Sequence, residues 1–257
     1  MQILVCIDDT DNIESRGTGE LAEMIAQAIE KHDWGKCSWI TRHQLLLDPA
    51  VPYTSHNSSM CFKADINIEY LQLIIDYAAK FLEQESQVEA DPGLCVAVID
   101  DFLDSKSLID FGYRVKQEVV TKDAAYNLAS RLNVHLSEHG GTGQGIIGAL
   151  AGAGLRLSDN DGWVKGKVKI NVPNNIINVR DLCSHPAIDK VRNIQGGYLE
   201  DSELILLGDM VKSLLMDGSA VVLVHKLDEA NDLSLWTTCS KKQLANYEEM
   251  RTLVENQ

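Results

Sequence analysis

The chain has 257 residues, 45% of them apolar and 24% charged, and its mean hydropathy is −0.12. This composition excludes a disordered chain and leaves one large domain or two modest ones open. Its 23 lysines and arginines against 38 aspartates and glutamates give a net charge of −15, which repels a phosphate backbone and disfavours nucleic acid as a direct partner unless basic residues cluster.

The first strand is read at Gln2 to Ile7. It is apolar throughout, as in a strand covered by helices on both faces. No basic start, apolar stretch and small-residue cleavage site precede it, and no apolar run approaches the roughly 18 residues of a spanning helix, so a cytoplasmic protein without membrane contact is expected. The strand closes in Asp8-Asp9-Thr10-Asp11-Asn12, and from about Gly19 to Lys31 an apolar stripe of Leu21, Ile25, Ala28 and Ile29 predicts a helix. Strands are expected at 37–42 and 60–66, separated by the proline-bounded polar loop Asp48 to Ser59. A run of irregular residues this long in a compact domain is often functional.

A helix follows at 71–82, then a strand from Leu94 to Ile99 that ends in Asp100-Asp101 and echoes the first strand. Helices are expected at about 105–118 and 122–132. Gly140-Gly141-Thr142-Gly143-Gln144-Gly145 then opens an apolar helix, Ile146 to Leu155, with no clear strand before it. Asp159-Asn160-Asp161-Gly162 is a hairpin-type turn signal. Beyond it come short β-branched segments at 163–172, 176–179 and 219–225, with helices near 203–215 and 241–252. A domain boundary is expected near residue 160, giving domains 1–160 and 161–257.

Six cysteines are scattered with no C-x-x-C pair, which reads as reduced core thiols. His135 and His139 flank Glu138 without a third ligand in the run, and His139 is assigned to the glycine loop or the surface.

Asp8, Asp9 and Asp11 carry the strongest chemical signal. Carboxylates crowded at a strand end repel one another, and a hard cation such as magnesium relieves that repulsion, commonly with phosphate oxygens completing its shell. The alternative is an Asx turn with exposed charges. Thr18 precedes the first amphipathic helix, where it can be an N-cap or contact a phosphate. Gly143 to Gly148 is formally G-x-G-x-x-G, but as a dinucleotide fingerprint it lacks its strand. What stands is general: its glycines allow backbone amides to approach a phosphate.

Three motifs in the same order, over most of residues 1–155, resemble the archaeal enzymes that attach agmatine to an anticodon cytidine of an isoleucine tRNA, the agmatidine synthetases. They are Ile7-Asp8-Asp9-Thr10-Asp11 with Gly17-Thr18-Gly19, Leu47 to Asn57, and Gly145-Ile146-Ile147-Gly148-Ala149-Leu150. The resemblance implies a mixed α/β (α+β) fold, with a kinase-like domain that binds ATP and magnesium coupled to a smaller ferredoxin-like domain. It implies Asp8, Asp9, Asp11 and Thr18 as catalytic, with Asp8 and Asp11 holding the metal and Thr18 contacting or accepting phosphate. Thr10, Gly141, Thr142, Gly143 and Gly145 would bind the nucleotide, and Tyr53, Thr54, His56 and Asn57 the substrate. The family's zinc ribbon is not expected without C-x-x-C, and room for its oligonucleotide-binding barrel is not expected either. The segment before the helix is Gly-Thr-Gly-Glu where the family has a Cys-Thr-Thr type.

The function expected is therefore ATP- and magnesium-dependent phosphoryl transfer to, or activation of, a small polar substrate. A nucleotide-binding regulatory module without catalysis is the alternative. Transfer-RNA modification would need a separate RNA-binding partner.

Overall fold

The computed structural model describes residues 1–12, 14–49, 51, 57–100, 104–166, 168–227 and 235–247. The chain divides into two compact units, 1–165 and 166–257.

In the first unit the elements run β1 (Gln2–Asp8), α1 (Thr18–Lys31), β2 (Gly35–Cys37), β3 (Thr41–Gln44), β4 (Ser58–Ile66), α2 (Leu71–Glu85), β5 (Gly93–Val98), α3 (Ser105–Val115), α4 (Lys122–Leu132), β6 (His135–Glu138), α5 (Gly145–Leu157) and β7 (Trp163–Val164). The sheet order is β6-β5-β1-β4-β3-β7, with β2 also on β4. Every pairing described in this unit is antiparallel.

The alternation of β1 explains its uniform apolarity. Ile3, Val5 and Ile7 pack with Leu21, Ile25 and Ile29 of α1 and Ile74 and Leu82 of α2. Leu4 and Cys6 face the opposite layer of α3, α4 and α5. Each fully buried aliphatic side chain contributes roughly 1.5–3 kcal/mol, so both faces of this strand anchor the core. The mixed α/β class read from the sequence holds. Because the sheet is antiparallel, however, the crevice rule for parallel sheets does not explain where the acidic turn lies.

The echo between the two Asp-Asp pairs is not a repeated site. β1 and β5 are antiparallel, with Asp8 opposite Gly93, and Asp100 accepts the Gln2 amide at 2.9 Å at the other end of the sheet. A strand does precede the glycine loop after all: β6, four residues long and polar, hydrogen-bonds to β5 from Gly93↔Glu138 to Val96↔His135.

The second unit comprises β8 (Ile176–Asn178), α6 (Val179–Leu182), β9 (Lys190–Asn193), β10 (Leu204–Leu206), β11 (Ser213–Met216), β12 (Ser219–Lys226) and β13 (Leu235–Thr238), with residues 241–247 helical. Its pairing is mixed: β10–β13 and β12–β9 are parallel, the others antiparallel. The helix expected near 203–215 is instead β10 and β11. Leu204, Leu207, Val211 and Leu214 have helical spacing, but Leu206 and Ile205 pair with β8 and β13, and Gly208-Asp209 interrupts the run.

Candidate functional site

The acidic turn closes the end of β1 against the N-termini of two helices. Asp9 takes a left-handed backbone (φ 51°), turning the chain so that its neighbours point inward. Thr10 Oγ1 donates to Thr18 Oγ1 (3.1 Å), and Thr18 Oγ1 donates to Asp11 Oδ1 (3.1 Å). Gly17, not Thr18, is the N-cap of α1, so the Thr18 hydroxyl is not used for capping. On the other side, Asp8 lies against Gly148 in the first turn of α5, so closely that a Cβ there would collide with its carboxylate.

Like α2, whose N-cap is Tyr70, these two helices begin without a side-chain cap bond, unlike α3 and α4. The N-cap side chains of α3 and α4, Asp104 and Thr121, accept amides of their first turns at 3.1 and 3.3 Å. The N-caps of α1 and α5, Gly17 and Gln144, make no side-chain cap bond. First-turn amides without a cap carry partial positive charge and suit an anion.

Between the two N-termini lies a cavity of about 270 Å³. Asp8, Asp9, Asp11, Gly17, Thr18 and Gly19 line one side, and Gln144, Gly145, Ile147 and Gly148 another. Leu45, Leu46, Val51, Met60, Val115, Val119 and Val120 give it an apolar wall, and Arg42, Asn57, Ser58 and Glu118 complete it.

Electrostatically this is an uncompensated acidic pocket. Burial pushes the Asp8 pKa well up, and repulsion from Asp9 and Asp11 adds to it, against a hydrogen bond from the Asp9 amide. Asp9 is pushed up to about 6, by burial first and then by Asp91 and Asp11. A cation beside them would favour the charged form of both. Among the described residues no three His, Cys, Asp or Glu side chains close into a metal cage. Magnesium does not require one, since one or two carboxylates with water and phosphate oxygens suffice, and Asp8 and Asp11 offer that set.

The residues singled out from sequence are partly united. Asp8, Asp9, Asp11, Thr18, Gly145 and Asn57 line the cavity, and Thr10 supports Thr18 from behind. Gly141, Thr142 and Gly143 do not line it. They fold against Asp91 and Glu138, with Thr142 Oγ1 donating to Asp91 Oδ2 at 2.6 Å and the Thr142 amide donating to Asp91 Oδ1. Tyr53, Thr54 and His56 lie outside the described residues. Asn57 turns its amide onto Leu46 O (2.7 Å), bracing the wall it belongs to.

Asp91, Arg42 and the wall formed by Val115, Val119 and Val120 escaped sequence reasoning; Arg42 sits in a strand in which buried and half-buried residues alternate. The Asp159 to Gly162 segment, read as a hairpin-type turn, buries Asp161. It bonds His43 Nδ1 at 2.9 Å and pairs with Lys116, while His43 Nε2 meets Thr41 Oγ1 at 2.8 Å. His135 and His139 both meet the Ser137 hydroxyl, at 2.9 and 2.7 Å.

No family model matches the chain. An uncharacterized protein of Methanocaldococcus jannaschii is 30% identical over 156 residues, covering 60% of this chain and 50% of that protein, so the chain spans about half the length of this curated relative. Among solved structures, the complex of TiaS, a tRNA agmatidine synthetase, with its isoleucine tRNA and ATP aligns at a TM-score of 0.53 and 23% identity, over 60% of this chain and 36% of TiaS. Over that part, the chain has a TiaS-like fold. Apo TiaS aligns at 0.51 and 22% identity over 60% and 35%, and a tRNA fluorescent labeling enzyme at 0.52 and 23% over 60% and 36%. Among the described residues no helix is long and apolar enough to cross a membrane.

Proposed function

We propose that the first unit is an ATP- and magnesium-using module that phosphorylates or otherwise activates a small polar substrate. The observation that carries this reading is the pair of uncapped helix N-termini facing buried, mutually repelling carboxylates across one cavity. Such a site offers attraction to an anion and to a cation at once, which is the charge pattern of a metal-bound polyphosphate.

In this reading Asp8 and Asp11 hold magnesium, which neutralises phosphate charge when bound. Asp9 supports them, the amides at the start of α1 donate to phosphate oxygens, and Gly145, whose own amide is held by Asp91 O, brings the first turn of α5 against them. Thr18, whose hydroxyl proton already points to Asp11, contacts the transferred phosphate or accepts it, with Thr10 holding it in place. Gly141, Thr142 and Gly143 shape the loop behind Gly145. Asn57, with Tyr53, Thr54 and His56, forms the substrate side. The domain reading is that the first unit, 1–165, carries the nucleotide site, a boundary five residues beyond the 160 expected from sequence, and that the second, 166–257, is the smaller α+β domain.

The neighbours support the nucleotide part. TiaS has been solved with its isoleucine tRNA and ATP, and with that tRNA, AMPCPP and agmatine. Transfer-RNA modification is the weaker extension here, because the cavity lining holds four carboxylates and one guanidinium, Arg42, and the chain carries a charge of −15. RNA would have to arrive with a partner protein.

Calorimetric titration with ATP tests the reading. Binding is expected in magnesium, lost in EDTA and lost in Asp8→Ala. Equal affinity in magnesium and EDTA would overturn it, and binding without turnover would mark a regulatory module.

A further inference from the structure

The connection from α2 to β5, residues 86–92, touches both halves of the site. At its start, the Gln87 amide donates to Thr10 O (3.1 Å) and Asn12 Nδ2 reaches Gln87 Oε1 (3.5 Å), which ties it to the acidic turn. At its end, the His139 amide donates to Pro92 O (2.8 Å) and the Gly145 amide to Asp91 O (3.1 Å), which ties it to the glycine loop and the first residue of α5. The half-buried Asp91 side chain then takes both the amide and the hydroxyl of Thr142.

Thr142 is held from its other side as well. Lys122 Nζ donates to Thr142 O (2.7 Å) and pairs with Glu138 (2.7 Å), which accepts the Tyr126 hydroxyl at 2.6 Å. Gly141 and Gly143 are left-handed (φ 54° and 74°), and a Cβ on either would collide with the Asp91 or Glu138 carboxylate. The loop is therefore shut around two carboxylates, Asp91 and Glu138.

We propose that Asp91 is a positioning residue that fixes the glycine loop and the first turn of α5 at a set distance from the acidic turn, so that one metal-bound polyphosphate can span both. This rests on the nucleotide reading of the cavity. A carboxylate suits the task because it takes two donors of Thr142 at once, and charge-assisted bonds of this kind are shorter and stronger than neutral ones. It also adds to the negative field that draws the cation.

The test is ATP affinity in magnesium, measured on the intact chain for Asp91→Ala, Asp91→Asn, Thr142→Val, the double variant Asp91→Ala/Thr142→Val, and Asp8→Ala. Asp91→Ala and Thr142→Val should each weaken ATP binding at least tenfold, and the double variant no further, since both break one linkage. Asp91→Asn keeps an acceptor for the Thr142 amide and should recover affinity to within about threefold of wild type, a graded rescue that a purely structural site would not show in binding. If Asp8→Ala abolishes binding while Asp91→Ala and Thr142→Val retain wild-type affinity, the Asp91 assignment fails alone. Additive losses in the double variant would equally overturn it. If Asp8→Ala binds normally, the nucleotide reading itself has failed. Thr142 is exposed, so Thr142→Val keeps the test decisive even if Asp91→Ala folds poorly.

Discussion

Two buried aspartates in the same unit, Asp8 and Asp161, have opposite electrostatic fates. At Asp161, burial alone would raise the pKa, but the hydrogen bond to His43 and the charge of Lys116 outweigh it and hold the group down at about 2. At Asp8 burial dominates and the neighbours, Asp9 and Asp11, make it worse. Both are 8% exposed, so burial does not separate them; partners do. A compensated buried carboxylate is part of the fold, whereas an uncompensated one beside a cavity is a structure set to receive something positive.

The sharpest way to break this comparison is a pair of matched substitutions. Asp161→Asn removes the charge that faces Lys116 and leaves one of the two bonds, to Lys116 or to His43, without an acceptor, and should cost about 3–5 kcal/mol of stability, read by denaturant unfolding, with ATP affinity of the folded fraction unchanged. Asp8→Asn should do the reverse, leaving stability unchanged or raised while abolishing magnesium-dependent ATP binding. If Asp8→Asn destabilises as much as Asp161→Asn, the distinction collapses.

The pH dependence should differ in sign as well. Asp161 is depressed from 3.8 to about 2, so its contribution is complete above about pH 4 and is lost as pH falls through 2, a change of about 2 kcal/mol. Asp9 is raised from 3.8 to about 6, so its protonated form favours folding at low pH and that contribution disappears as pH rises through 6. Unfolding of wild type against Asp161→Asn and Asp9→Asn between pH 2 and 8 separates the two slopes. A parallel pair of profiles would contradict the assignment.

A smaller effect sharpens the geometry. Gly148→Ala places a methyl group where the Asp8 carboxylate lies and should weaken magnesium-dependent ATP binding at least tenfold, about 1.4 kcal/mol, in the same calorimetric assay. Unchanged affinity would mean that Asp8 does not need this position.

What could be read from sequence was what is local. Three aspartates in four residues, the stripe of α1, and the glycine-rich entry to α5 are contiguous patterns, and each lies where it was expected along the chain. The rest depended on partners far away. Asp161 and His43 are 118 residues apart, and an Asp in a polar run looks like a turn until its histidine is found. Asp91 gave no signal because its role lies in Thr142, 51 residues on. β6 was invisible because His135 to Glu138 has no apolar alternation; it is a strand because β5 offers it a ladder. At 203–215 an accidental helical spacing of leucines competed with sheet partners and lost.

Helix α5 has one further consequence, in how fast the cavity's parts exchange with water. From Gly148 to Arg156 every residue is buried, packed between the sheet and α3 with glycines at its closest approaches, such as Gly152 on Ser59 and Cys6 and Gly154 on Leu108. Its mid-helix amides can reach solvent only when the unit opens as a whole, so they should exchange hydrogen at the rate of global unfolding. The opposite wall is different, since Val119 is 54% exposed and sits between α3 and α4, outside any regular element. The cavity thus joins a slow floor to a fast rim, and a ligand that enters past Val119 should slow exchange at the rim while leaving the floor unaltered.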